Sequence, residues 1–442
     1  MNGVQQIASE LDTTWVIVAA VLVMFMQAGF ACVEMGFSRG KNAGAVVAKI
    51  LMNFSIASLT WWAVGFALAF GGGARLAGDS GFFLGHGSVL GPGSPIAGPL
   101  DGAGAGFFFF QLVFCAVSLA IVWGATLERI RFVAYPIYGV VFAGVIYPLV
   151  AHWIFGGGLL DHVGSGMQDF AGSTVVHLTG ATGGVAALLL LGPREGKYDG
   201  AGRPRAIPGH SMPLFGIGVL ILWLGWFGFN PGSTLGTGGS RFAEVVVATN
   251  LAAAAGVVGA AVAASALTRS LDVGMIGNGA IAALVAVTAP SGFVEFWAAP
   301  IIGFVAGLIV VVSVLVIDRR LDDPVGALSA HGVAGVWGTL SCGLFASPRL
   351  VGSDDVAGVP GLLYSGSFEQ LGVQALGVTV AFLVVFTLSY ITFAAIKAVF
   401  GLRVTPEEES AGLDIVEHGM YGYPEQYVDS HDLEPAVGIP TS

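Results

Sequence analysis

The chain has 442 residues, 55% of them apolar and only 10% charged, and its mean hydropathy is +0.82. A soluble surface could not be kept hydrated at that composition, so a membrane class follows. The formal net charge of −11, concentrated after Arg403, argues against a nucleic-acid partner.

Residues 1–14 carry no Lys or Arg, and no small-residue cleavage site precedes Ser38-Arg39-Gly40-Lys41. The first apolar run is therefore expected to be a retained helix, not a secretory signal. Apolar runs bounded by polar, Gly or Pro clusters fall near 14–37, 45–71, 106–127, 133–155, 172–192, 212–229, 242–267, 273–289, 296–317, 328–347 and 368–396. At about 20 residues per span, they predict an all-α integral membrane bundle of eleven transmembrane helices. The 68 glycines, many beside Ala and Ser in these runs, suit closely approaching backbones. Cys32, Cys115 and Cys342 show no metal or redox spacing and read as small packing residues.

An odd number of helices puts the termini on opposite sides. If the first helix runs inward, the inner connections hold Arg39, Lys41, Arg129, Arg131, Arg194, Lys197, Arg203, Arg205, Arg269, Arg319 and Arg320, and the tail adds Lys397 and Arg403. The outer connections hold only Arg75, Arg241 and Arg349. The positive-inside rule then places the N-terminus outside and the C-terminus in the cytoplasm.

An Asp followed eight residues later by His occurs twice. Asp169-Phe-Ala-Gly-Ser-Thr-Val-Val-His177 opens the fifth helix, and Asp323-Pro-Val-Gly-Ala-Leu-Ser-Ala-His331 opens the tenth. Five helices separate the copies, so they run in opposite directions, as in an inverted repeat with a pseudo-twofold axis in the membrane plane. Each histidine lies roughly 12 Å along its helix path from the opposite face, near the midplane. A lone intramembrane His is as readily a packing group bonded to a carbonyl as a functional one; two converging ones point to a cavity or pathway. The aspartates, at helix starts, read as N-caps. Glu34 and Lys49, near the inner ends of their helices, are expected to pair or snorkel.

Several segments closely resemble the ammonium transporters of the Amt/Mep/Rh superfamily, on the Amt side. They are Asp169–His177, Gly225-Trp-Phe-Gly-Phe-Asn-Pro-Gly-Ser233, Ile276-Gly-Asn-Gly-Ala-Ile-Ala-Ala-Leu-Val285 and Gly412-Leu-Asp-Ile-Val-Glu-His-Gly419. Gly29-Phe-Ala-Cys-Val-Glu-Met-Gly-Phe-Ser-Arg-Gly-Lys-Asn42 and Glu128-Arg-Ile-Arg131 extend the match across nearly the whole chain. The resemblance implies a multi-pass plasma-membrane transporter rather than an enzyme, with no cofactor or metal. It also implies a homotrimer with one pore per subunit. Residues 1–400 then form the transport domain: repeat one over about 14–192, repeat two over about 212–347 and a final helix at 368–396. Residues 401–442 form a cytoplasmic regulatory tail, its last twenty residues expected to be disordered.

Carried over to this sequence, the resemblance makes His177 and His331 twin pore histidines hydrogen-bonded to one another. Phe114 and Phe229 become a stacked phenyl gate, Ser233 an acceptor for ammonium in the outer vestibule, and Asp169 a buried brace of that vestibule. Without the resemblance, Phe114, Phe229 and Ser233 read as packing or lipid-facing groups. One departure stands in Ala151-His-Trp-Ile-Phe155-Gly-Gly-Gly158, where the family usually has Trp at the position of Phe155. Phenylalanine offers a weaker cation–π face, so weaker recruitment is expected, with Trp153 an off-register substitute.

The implied activity is capture of ammonium near Ser233, Phe155 and Phe114, passage of the gate, loss of a proton and conduction of ammonia past the histidines. The acidic tail reads by default as solvated, whereas Gly412–Gly419 resembles a regulatory helix that contributes to binding of a PII-type signal protein. A competing reading is an ammonium sensor signalling through the tail. A third, an ion-coupled secondary transporter, would normally show Pro/Gly-broken helices and mid-depth carboxylates.

Overall fold

The computed structural model describes residues 3–85, 89–90, 98–99, 102–351 and 357–427. Among them, nine helical stretches are long and apolar enough to cross a membrane. They are α1 (Gly3–Phe37), α2 (Gly40–Phe70), α3 (Gly102–Ala125), α4 (Ala134–Ile154), α5 (Ser173–Leu191), α6 (Met212–Gly232), α7 (Arg241–Thr268), α9 (Ala298–Ile317) and α11 (Glu369–Phe400). Two shorter stretches pack among them: α8 (Val273–Thr288) and α10 (328–345). The only strands among the described residues are two antiparallel pairs of two residues each.

Helix α1 starts at Gly3, eleven residues before the apolar run at 14. Its first turns are polar and exposed, with Gln6 donating to Glu10 at 3.0 Å, and hydropathy cannot register a helix that continues beyond the apolar layer. Ser211 caps α6 by accepting from Leu214 N at 3.3 Å, and Asp272 caps α8 by accepting from Met275 N at 2.9 Å.

Helices α1 and α6 pack along one another. The pairs α1–α3, α2–α4 and α3–α5 have counterparts five helices later in α6–α8, α7–α9 and α8–α10. Close approach of α7 and α9 rests on glycine. A Cβ on Gly303 would stand 2.0 Å from the Ala252 carbonyl, and one on Gly259 2.3 Å from that of Phe304. Cys115 and Cys342 are buried and Cys32 half-buried.

Buried charges gather at the end of the bundle that meets the tail. Arg39 Nε pairs with Glu128 at 2.5 Å and Arg194 Nη2 with Asp322 at 2.9 Å. Burial disfavours the Asp322 carboxylate, but hydrogen bonds from Arg194 and the charge of Arg129 outweigh it and hold the group at about 2. Deeper in, Glu34 and Lys49 are both 1% exposed and form an ion pair, so of the two expected behaviours they pair and do not snorkel.

The tail is not simply solvated. Helices α12 (Pro406–Ala411) and α13 (Leu413–His418) fold back on this face. Two of their acids are buried: Glu409 pairs with Arg403 at 2.7 Å, and Asp414 accepts Gly44 N at 3.0 Å and Ala45 N at 2.7 Å. Acidic composition cannot reveal that two carboxylates meet a half-buried guanidinium and a helix N-terminus. The disorder expected for the last twenty residues lies, beyond Tyr427, outside the described residues; Pro424–Tyr427 form a helical turn.

Candidate functional site

The two Asp-to-His segments fold by the same local logic. Ahead of α5, the Asp169 carboxylate accepts backbone N–H groups of Gly172 (3.0 Å), Ser173 (2.8 Å), Thr174 (3.0 Å) and Val175 (2.9 Å). These are the donors that a helix start leaves orphaned. Burial pushes the Asp169 carboxyl up to about 6, against the pull of those four donors. Asp323 accepts from Ala327 N (3.0 Å) and Leu328 N (2.7 Å) ahead of α10. Each helix then opens in a wide π turn containing its histidine, Ser173–Leu178 and Leu328–Val333. Such turns are frequent at functional sites, because they re-aim side chains and loosen the carbonyl ladder. In the first of them the Val176 carbonyl accepts from Ser118 Oγ at 2.7 Å as well as from the Thr179 backbone N–H.

The two imidazoles meet inside the bundle. His177 Nδ1 lies 3.3 Å from His331 Nδ1, with ring centroids 5.3 Å apart and planes 23° from parallel. A hydrogen bond at this contact requires one Nδ1 to donate and the other to accept, which two neutral rings achieve only as opposite tautomers. The Nε2 of His177 is buried and has no hydrogen-bond partner among the described residues. His177 also stacks on Trp226 (5.4 Å, 22°) and Phe229 (5.4 Å, 27°), and Trp226 is fixed by Nε1 donating to Thr288 Oγ1 at 2.9 Å.

Phe229 in turn stacks on Phe114, with centroids 4.0 Å apart and planes 17° from parallel. Beyond this pair lies a cavity of about 480 Å3, open to solvent, whose wall includes Phe114, Phe155, Ser233, Asp169, Phe170 and Arg241. Ser233 Oγ donates to the Phe229 carbonyl at 2.9 Å, leaving the oxygen's lone pairs to accept from a donor in the cavity. Asp169 borders the cavity with both oxygens occupied by backbone N–H groups. The Trp153 indole donates to the Leu76 carbonyl at 2.9 Å and does not line this wall, whereas Phe155 does.

All seven residues singled out from the sequence thus fall on one file: vestibule, phenyl pair, His177, His331. Trp226, Phe110 and Phe30 were not singled out. Phe110 leans on Phe114 at 4.6 Å and Phe30 on His331 at 6.2 Å. Helical spacing carried a signal for two of them: Trp226 precedes Phe229 by three residues and Phe110 precedes Phe114 by four, so each pair shares a helix face. Nothing in the sequence marked Phe30.

The family model described as Ammonium Transporter Family matches residues 14–423. Among curated proteins, ammonium transporter Amt2 of Archaeoglobus fulgidus is 44% identical over 94% of this chain and 88% of its own length. Among solved structures, a protein described as a sensor Amt protein superposes with a TM-score of 0.85 at 36% identity, covering 94% of this chain and all of that one. Candida albicans Mep2 superposes at 0.83 with 29% identity, covering 97% and 94%.

Proposed function

The chain belongs to the ammonium transporter family, a family of transporters and not of enzymes, and from that premise we propose that it carries ammonium across the plasma membrane through a pore in each subunit of a homotrimer. The observation that carries this reading is the continuous file from the open vestibule through Phe114 and Phe229 to the paired imidazoles.

The proposed architecture is eleven spans, in which α8 and α10 join the nine longer helices. At 16 residues α8 reaches only about 24 Å, and the turns that follow it at 289–293 make up the depth. The matched packing of α1–α5 and α6–α10 supports an inverted repeat, and the distribution of Arg and Lys supports an outside N-terminus. On this topology the cavity is the outer vestibule and residues 401–442 are a cytoplasmic regulatory tail. The docked helix α13 then offers a surface for a PII-type partner.

Ammonium and potassium share charge and approximate size, so an apolar tube cannot sort them by either. Ammonium can leave a proton behind; potassium would cross the dry section as an ion, at a desolvation cost of several kcal/mol. The Ser233 oxygen and the ring of Phe155 recruit the cation, the phenyl pair excludes water, and ammonia passes the histidines. His177 Nε2, without a hydrogen-bond partner among the described residues, bonds the passing ammonia, while the Nδ1 contact couples the rings for a proton relay.

Transport is better supported than the sensor alternative, because the curated relatives that match carry transporter names. Currents in proteoliposomes test it, with ammonium and potassium compared on one preparation.

Replacing Phe155 by Trp is expected to tighten the apparent ammonium affinity about two- to fivefold, the equivalent of roughly 0.5–1 kcal/mol of added cation–π attraction. An unchanged or weaker half-saturation concentration removes Phe155 from the recruitment site.

A further inference from the structure

We propose that Glu34 is the proton-exchanging group at the inner end of the pore, taking up the proton that ammonium gave up outside and returning it to ammonia before release. The proposal rests on the pore reading above and assigns that pore an exit chemistry.

Glu34 lies on α1 and is 1% exposed. Its Oε2 pairs with Lys49 Nζ on α2, while Oε1 is buried with no hydrogen-bond partner among the described residues. Beside it is a small cavity of about 20 Å3, room for one molecule the size of water or ammonia, whose wall includes Glu34, Phe30, Gly124, Asn278 and His331. A Cβ on Gly124 would stand 3.6 Å from Oε1, so the missing side chain leaves room next to that oxygen. The unpartnered carboxylate oxygen and the second pore imidazole therefore border the same space, on the side of His331 away from the vestibule.

Packing alone does not account for this arrangement. A buried ion pair is often no more stabilising than apolar side chains of equal volume, and leaving one carboxylate oxygen unsatisfied adds a desolvation penalty. An unsatisfied buried acceptor facing a substrate-sized space calls for a ligand or a proton.

The charged and titratable groups facing Glu34 are Lys49 on α2, Tyr135 on α4 and His331 on α10. The other elements in the wall contribute Ile121, Leu222, Asn278, Ile281, Val325 and Ala327, none of which titrates. The step balances as follows. A doubly protonated His331 gives up a proton, its N–H bond breaking as the Oε1–H bond forms, which returns the ring to neutral and leaves a carboxylic acid beside the Lys49 ammonium group. Ammonia arriving past His331 takes that proton, an N–H bond forming as the O–H bond breaks, and carboxylate and ammonium remain. Lys49 keeps the carboxylate charge compensated before and after.

The test uses the purified full chain in proteoliposomes. Glu34→Gln with Lys49→Gln removes both charges together, so no lone buried charge remains. The ammonium current is expected to fall on the order of a hundredfold, the size of a lost acid–base group. Ammonia that still passes then takes its proton from the lumen, so alkalinisation beyond that of empty liposomes should appear in the variant, where the wild-type protein, releasing ammonium, gives none. A wild-type current in the double variant overturns the proposal, and so does loss of current and ammonia flux together, which would make the pair structural. If the double variant does not assemble, Glu34→Asp retains the charge but draws the oxygen back, and an undiminished current there overturns the proposal. Absence of selective current from the wild-type protein would instead strike the pore reading itself.

Discussion

His177→Leu is expected to reduce the ammonium-driven current to that of protein-free liposomes. The substitution removes the buried Nε2 that faces the path, the Nδ1 contact with His331 at 3.3 Å, and the ring that continues the stack from Phe229. Leucine fills most of the volume, so the pore walls stay in place while the polar step disappears. His331 Nδ1 is left without its partner, at a cost of about 1–3 kcal/mol, which a folded membrane bundle of this size tolerates. Size-exclusion chromatography of the variant should match wild type; a well-folded variant that keeps a selective current would detach His177 from the transport path.

The pairing of those two histidines was legible because it rests on a repeat. Two aspartates, each eight residues ahead of a histidine and five helices apart, place both rings near the same depth from opposite directions. The spans with long apolar runs were legible for the same reason that they form. Period and hydropathy are blind to the π turns at Ser173–Leu178 and Leu328–Val333, because no residue type marks where a helix widens. They are blind also to the polar start of α1 and to the burial of Glu409 and Asp414, which depend on partners far away in sequence. Phe114, Phe229 and Ser233 stood out only through family resemblance, since isolated aromatics and serines in membrane helices are ordinarily packing groups.

Asp169→Ala is expected to be the most damaging single change to folding. Four backbone N–H groups that converge on one carboxylate lose their acceptor at once, at the start of the helix that carries His177. A single cap is worth about 1 kcal/mol. Charge-assisted bonds reach about 1.5–3 kcal/mol each, and Asp169 is buried where water cannot readily replace it. The summed loss should fall in the range of about 3–5 kcal/mol typical of broken buried polar networks, well above an exposed cap. Thermal unfolding in detergent checks this by a large drop in midpoint, with current lost in parallel. Asp169→Asn keeps one acceptor oxygen and should fall between the two. A variant with wild-type midpoint would show that the π turn holds without its brace.

The central claim is that selectivity comes from passing only a species that can leave its proton behind, past two coupled imidazoles. Its most direct measurement is the current of the reconstituted wild-type protein under equal inward gradients of ammonium and then of potassium. The account predicts a saturable ammonium current and a potassium response no greater than that of empty liposomes. A potassium current comparable to the ammonium current would contradict it.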